Sequence, residues 1–535
     1  MRIVNTTFIS SLRDTRTMSD SQPRRYDVRE FGATGDGETR DTDAIQTALE
    51  ECAGTGGTVF VPPGEYLTGP LEVGDRTTIH IENGATVRFL KDYTAFPTVK
   101  SRWEGWDQYG FHPCLFVANA SNVEITGRGV IDGSGEHWWQ FRDVPRSQYP
   151  DDLRARVAEF DDRNELQDDV SSFTLRPPLL QIYESENVSI SGVTLKNSPF
   201  WNTHVVYSED VTISDVRIEN PADAPNGDGI DIDSSSFVRV SDTFINAGDD
   251  AICIKSGKDE QGRAVGRPAH NITVTNCTVK HGHGGVVIGS ETAAGVHDVT
   301  VSNCTFADTD RGIRIKSQRG RGGVVEDLYF DTIVMRRIAC PFVVNGYYFT
   351  PIDSDPEPVD DGTPMVRNVH FTNVTARDVE SAGFFAGLPE RHFEGFTFDN
   401  VRIDATRSLE ATDLDPAMAE GYDQRHGFFC KSIADVSFSD VRIRTPDGPA
   451  LRVEESGLLS LEGLEVEIDE QNADPAIEVR SVDETRVRGC AVSDEEGPFL
   501  EVDGPESRRL SLAGNHGTLR EHVEIGRDCE NLTLE

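Results

Sequence analysis

Long hydrophobic runs are missing from this chain. No stretch of 18 apolar residues occurs, which leaves no candidate for a membrane-spanning helix. Paired cysteine motifs are missing too: there is no Cys-x-x-Cys, and the nine cysteines are an odd number. Cys253, Cys277 and Cys304 lie inside apolar β-type runs, so the cysteines read as small buried hydrophobes in a reduced compartment. A disulfide framework or a metal site is not expected. Basic residues are scarce, 51 against 92 acidic ones, for a formal net charge of −41. That balance disfavours nucleic acid and anionic membranes as partners. It also repels a polyanion at long range, unless salt shortens the field to roughly 3–10 Å. A solvated acidic surface suited to high salt is the simplest reading of the charge. The first 25 residues lack an apolar core and a small-residue cleavage site. A cytoplasmic location is therefore expected, with secretion by another route as the alternative. Residues 1–25 read as a polar tail, and Met1 and Met18 are both open as translation starts.

A short repeat is abundant from about Leu179. Runs of the type Asn-Val-x-Ile-x-Gly-Val-x-Leu begin at Asn187, Asp210, Phe237, Asn271, Asp298, Asp327, Asn368 and Asp435. Each alternates apolar and polar residues, meets a turn residue and alternates again. A unit this short cannot bury its apolar face alone, so units must stack as the coils of a solenoid. The expected fold is all-β: a parallel β-helix of about ten coils, forming one domain over residues 26–535. After about residue 450 the coils become less regular, or a small β appendage takes their place. Thr42 to Ala53 shows helical spacing of Ala44, Ile45, Ala48, Leu49 and Cys52, with Asp41 or Thr42 to cap it. This helix should cover the open N-terminal end of the stack. Residues 101–115, 141–172 and 257–268 break the pattern and read as loops around a cleft, the second with room for one helix. Trp103, Trp106 and Tyr109 either line that cleft or pack the loop.

Four polar clusters interrupt the apolar runs between Asn226 and Lys316. They are Asn226-Gly227-Asp228-Gly229, Gly248-Asp249-Asp250, Gly282-His283-Gly284 and Arg314-Ile315-Lys316. Asp228 and Asp249 are 21 positions apart, Asp250 and His283 33, and His283 and Arg314 31. Those intervals approximate one coil each, so the clusters should stack on one outer face. Glycosidic hydrolysis needs a carboxylic acid for the leaving oxygen and a carboxylate for water or for direct attack. Asp228, Asp249 and Asp250 supply candidates, and crowding should raise at least one carboxyl pKa. Strand alternation aims Asp249 and Asp250 at opposite faces, unless Gly248 permits a bulge. His283, flanked by glycines, is expected to be exposed. Arg314 and Lys316, two apart on a strand, suggest an anion site in an otherwise negative surface.

In this order and at this spacing, the clusters resemble the motifs of glycoside hydrolase family 28, the polygalacturonases. The family pattern is Asn-Thr-Asp, Gly-Asp-Asp, Gly-His-Gly and Arg-Ile-Lys. Gly227 replaces the threonine, a departure expected to loosen that turn while sparing the carboxylate. The resemblance spans roughly residues 26–450. It implies a right-handed parallel β-helix and hydrolysis with inversion, without a metal or other cofactor. It further implies Asp249 as general acid and Asp228 and Asp250 as the groups that position and deprotonate water. His283 would support the acid, and Asn226, Arg314, Lys316 and Tyr348 would hold the sugar, with Tyr348 preferred over Tyr347. The implied partner is an acidic poly- or oligosaccharide. Homogalacturonan, rhamnogalacturonan and xylogalacturonan all remain open, and the long loops favour exo attack. A polysaccharide lyase on the same scaffold and a non-catalytic carbohydrate-binding β-helix are the alternatives.

Overall fold

A computed structural model describes all residues except 1–23, 143, 165–175, 353, 407–424, 470–473, 494–496, 516–522, 530–531 and 535. The polar tail expected over 1–25 therefore lies mostly outside the described residues; the first strand already starts at Arg25. Parallel pairing links strands into one continuous stack from Arg25–Asp27 to Thr533–Leu534. Each turn of chain contributes to three ladders, the architecture of a parallel β-helix. One ladder, here the site sheet, has fifteen described strands from Leu71–Val73 to Val523–Ile525. Five precede Asp250–Lys255 and nine follow it. The expected ten or so coils understate the stack, because Leu451–Glu462, Ile477–Arg488 and Leu500–Asp503 keep adding rungs. No described helix is long and apolar enough to cross a membrane.

The repeat has a physical basis at its corners. Seven of the eight repeat starts, Asn187 through Asn368, sit at φ between 52° and 56°. That left-handed corner favours Asn and Asp over other non-glycine residues. The corner side chains also bond along the stack, as Asn187 does to Asn122 at 2.8 Å. Phe237 takes the same conformation without that help. Asp435 differs: it opens the strand Asp435–Ser439 rather than a corner. Inside, in-register side chains stack on their own kind. Phe330, Phe371, Phe398 and Phe438 form a column with successive ring centroids 5.3, 4.7 and 4.8 Å apart.

The capping helix spans Thr42–Cys52 and buries Ile45, Ala48, Leu49 and Cys52. Asp41 is its N-cap but does not cap it through its side chain. That carboxylate instead accepts from the amides of Thr34 and Gly35, at 2.7 and 3.1 Å, and so braces the preceding loop. Of the expected loop 141–172, residues 143 and 165–172 lie outside the described residues. Residues 101–111 belong to an antiparallel hairpin, Thr98–Trp103 with Trp106–Phe111, and not to a loop. Asp151–Arg163 and Asp259–Val265 are helices. All nine cysteines are buried, and none forms a disulfide among the described residues.

Candidate active site

Register across the site sheet builds the site. Asp231, Cys253, Val287, Arg314 and Val343 are successive partners, one per coil. Gly289 and Lys316 are partners in the neighbouring row. Rungs about 4.8 Å apart therefore bring residues up to 83 positions apart, Asp231 and Arg314, into one patch. Asp228 and Asp249 lie just before their strands, and Asp250 is the first residue of Asp250–Lys255. The conflict expected from strand alternation does not arise, because Asp249 stands in the bend outside the strand. No bulge at Gly248 is needed. Gly248 is required for a different reason: a Cβ there would lie 2.3 Å from the carbonyl oxygen of Ala224.

Each cluster is locked to the next. The amide of His283 donates to the carbonyl of Asp249 at 2.8 Å, and its ring Nδ1 lies 3.1 Å from Asp249 Oδ1. The amide of Asp250 also donates to Asp249 Oδ1, at 3.0 Å. Lys316 Nζ is 2.7 Å from Asp250 Oδ2, and Arg314 Nη1 is 3.9 Å from Asp250 Oδ1. Tyr348 places its ring 5.3 Å from the Arg314 guanidinium and 5.2 Å from Lys316 Nζ, whereas Tyr347 is buried. Asn226 is placed differently from a free sugar ligand: its amide oxygen accepts from Arg176 Nη2 at 2.6 Å. His283 is less exposed than its glycine flanks suggest, with 31% of its side chain accessible. The turn at Gly227 is not loose. Its carbonyl accepts from Asn220 Nδ2 and from the amide of Gly248, both at 3.0 Å, and a Cβ at 227 would meet Ala224 at 2.9 Å.

The charges in the patch are unequal. Burial, then the charges of Asp231 and Asp249, push the Asp228 carboxyl well above the ordinary range. Burial opposes ionisation of Asp249 as well. There the hydrogen bond and charge of His283, with Lys316 and Lys255, outweigh it and hold the carboxyl below its usual range. Burial lowers the His283 ring, but its bond to Asp249 and the nearby carboxylates raise it on balance. The two shifts favour the charged forms of both partners, across the Nδ1–Oδ1 contact of 3.1 Å. Arg314 is buried, with its Nε and Nη2 lacking any hydrogen-bond partner among the described residues; Oδ1 of Asp228 and of Asp250 are in the same state. Buried polar atoms of this kind are costly unless something satisfies them.

A second tier of residues escaped the motif reading. Lys255 Nζ is buried 3.3 Å from Asp231, 3.4 Å from Glu291 and 3.9 Å from Asp228, and 4.0 Å from the centre of the Trp201 ring. The available signal was register: Asp231 and Asp233 pair with Cys253 and Lys255 on the next coil. Asp233 is held by Arg102 of the hairpin at 3.1 Å. Phe200 stacks between Trp103 of the hairpin and Trp201, so the aromatic cluster packs the wall of the site. Asp228, Asp250 and Cys253 could also supply three ligand atoms within 4.8 Å of one another. They make a poor cation site. Burial keeps the Cys253 thiol protonated, and the ammonium groups of Lys316 and Lys255 already face the two carboxylates.

A profile of glycosyl hydrolases family 28 matches residues 164–416, and one for rhamnogalacturonase A/epimerase, pectate lyase-like, matches residues 26–141. A probable polygalacturonase from Vitis vinifera is 31% identical over 385 residues, covering 70% of this chain and 73% of that protein. The chain belongs to glycosyl hydrolase family 28. This family 28 glycosidase is also 26% identical to an exo-poly-α-D-galacturonosidase from Dickeya chrysanthemi, across 74% of its own length and 70% of the relative's. Among solved structures, an exopolygalacturonase from Thermotoga maritima superposes with a TM-score of 0.64 at 30% identity. The match covers 72% of the family 28 chain and 87% of the other.

Proposed function

We propose that this family 28 hydrolase cleaves α-glycosidic bonds of a galacturonate-containing pectic chain, with inversion and from a chain end. The observation that carries the reading is the set of unpartnered polar atoms. Arg314 Nε and Nη2 are buried donors beside Lys316, in a protein of net charge −41. A uronate carboxylate supplies the two acceptors that a guanidinium fork takes best. In the reaction, Asp249 delivers the proton shared with His283 to the leaving glycosidic oxygen. Water held between the Oδ1 atoms of Asp228 and Asp250 attacks the anomeric carbon from the opposite face. Its proton passes to Asp250, which Lys316 and Arg314 hold in place. An acid and base on opposite sides of the bond, about 6.5–9.5 Å apart, give inversion.

Exo attack is supported by the hairpin Thr98–Phe111 and the helix Asp259–Val265, which stand together at the N-terminal end of the patch. Arg102 pins the hairpin to Asp233 and to Ser234, and the amide of Lys258 donates to the hairpin carbonyl of Gly105. The relatives named above as exo-acting agree with this reading. One observation favours a second assignment of the acid: Asp228, not Asp249, is the carboxyl that burial pushes above its ordinary range.

Hydrolysis of defined galacturonate oligomers, followed by proton NMR and product sizing, tests the proposal. Inversion requires the β anomer first, and exo attack requires short products from the earliest time points. An early α anomer, or an unsaturated product sensitive to EDTA, would replace it with a retaining hydrolase or a lyase. An activated aryl galacturonide separates the acids, since a good leaving group needs no protonation. It should rescue Asp249→Asn and leave Asp228→Asn slow; the reverse would make Asp228 the acid.

A further inference from the structure

A second cationic feature lies one corner away from the site. The third ladder runs into the site sheet at each coil. In its C-terminal half, Val334, Thr375, Arg402 and Arg442 are successive partners, and so are Arg336, Arg377, Asp404 and Arg444. Thr375, Arg377, Arg402, Asp404, Arg442 and Arg444 of these rows, with Glu467, line an open groove of about 290 Å³. Arg442 and Arg444 are engaged, by Glu467 at 2.6 Å and by Asp469 at 3.0 Å. Arg377 and Arg402 are exposed and make no ion pair or hydrogen bond through their side chains among the described residues. In a chain with 92 acidic residues, a groove in which four arginines face two carboxylates, Asp404 and Glu467, is an exception to the surface around it.

Their position gives the exception a use. Arg314 pairs with Val343, Val343 with Phe384 and Phe384 with Phe429. The strand ending at Arg377 leads into the coil of Phe384, and Arg402 precedes the coil of Phe429. The groove therefore begins two rungs beyond Arg314 and continues for two more, about 10–20 Å along the axis. The hairpin is anchored at the opposite, N-terminal end, which it closes in the exo reading. A polymer whose end enters against the hairpin must leave towards the C-terminal coils, where its charge meets a surface that repels it.

We propose that the groove at Arg377 and Arg402 is an accessory binding site for the trailing part of an acidic polysaccharide, distinct from the cleft. The proposal rests on the exo, acidic-glycan reading above. Exposed guanidinium groups on successive rungs suit an extended chain that presents carboxylates at regular intervals. Holding the chain at a second point raises its effective concentration at the cleft without any new catalytic contact. Each contact is exposed, so each is weak alone and weakens with salt.

Affinity electrophoresis of the full chain in gels containing polygalacturonate tests this, with an Arg377→Gln/Arg402→Gln double variant. Both side chains are exposed, so the fold should be untouched. Apparent affinity for the polymer should fall about three- to ten-fold. Cleavage of digalacturonate, too short to reach the groove, should stay within about two-fold of the parent, and Arg377→Lys/Arg402→Lys should restore most of the retention. Unchanged retention of the glutamine variant would overturn the proposal. So would an equal loss of retention on polyglutamate, which would mark a general anion patch and not a glycan site. A parent protein inactive on digalacturonate and on longer oligomers alike would instead sink the reading of the cleft, while the retention of the two proteins would still decide the groove.

Discussion

Lys255 carries one positive charge and faces three carboxylates, so it cannot neutralise them all. The directions of the shifts show how the conflict resolves. Burial opposes the charge of Glu291, but Lys255 and Lys258 outweigh it and hold that carboxyl low. Burial dominates at Asp231 and pushes it to about 8, despite Lys255 at 3.3 Å. Burial thus favours the neutral form at Asp228 and Asp231, whereas the surrounding cations favour the charged form at Glu291 and Asp249. A carboxyl whose folded pKa is raised stabilises the fold fully below its ordinary pKa of 3.8. That contribution is lost as pH rises through about 8. Asp231→Asn cannot ionise, so its unfolding free energy should decline less across that window than the parent's, by urea titration at several pH values. The Asp249–His283 pair brackets a different window. The contribution of Asp249 is lost as pH falls through its depressed pKa, and that of His283 as pH rises through its raised one. Catalysis is the sharper test. Asp228→Asn, Asp249→Asn and Asp250→Asn should each cut turnover about 10²–10⁴-fold, with unchanged circular dichroism. Near-normal turnover of Asp249→Asn on natural oligomers would remove it as the acid.

Elements, not single residues, decide where these carboxylates point. Gly227, Gly248 and Gly284 are small because chain passes close by. A Cβ at 284 would lie 2.3 Å from a methyl carbon of Val287, and one at 227 would meet both Cβ and carbonyl oxygen of Ala224 at 2.9 Å. Restoring the family threonine with Gly227→Thr should therefore destabilise this protein, by about 1–3 kcal/mol from overpacking, and displace Asp228. The loss should appear in the melting temperature, and Ala224→Gly should recover part of it. A Gly227→Thr protein as stable as the parent would show that the turn has room to give. The hairpin Thr98–Phe111 works at the same scale. It lies outside the three ladders and brings Arg102 over Asp233, a contact across 131 positions that no local pattern announces.

The whole molecule sets the conditions under which the site works. A net charge of −41 repels an acidic polymer at distances beyond the cleft, while in the proposed function Arg314 and Lys316 attract it at contact. Salt screens the first interaction more than the buried second one. Raising ionic strength from about 10 to 150 mM shortens the Debye length from roughly 30 to 8 Å. kcat/KM on polygalacturonate should then rise, with kcat nearly constant, in initial-rate measurements. A steady fall with salt would mean that exposed cations, and not the buried pair, govern capture.

The sequence by itself determined the coil. Asn and Asp at the left-handed corners and period-2 alternation each act over a few residues, and so are readable along the chain, whereas the Phe column joins residues of different coils and needed the register. It also determined the order of the four clusters, since their spacing follows the coil length. Only the tertiary structure decided which charges meet. Coil insertions such as the hairpin and the helix Asp259–Val265 have no period, so nothing local sets what they cover. Protonation depends on burial and on partners from other coils, as Lys255 shows against Asp228, Asp231 and Glu291. Those distances exist only once rungs about 4.8 Å apart have stacked in register.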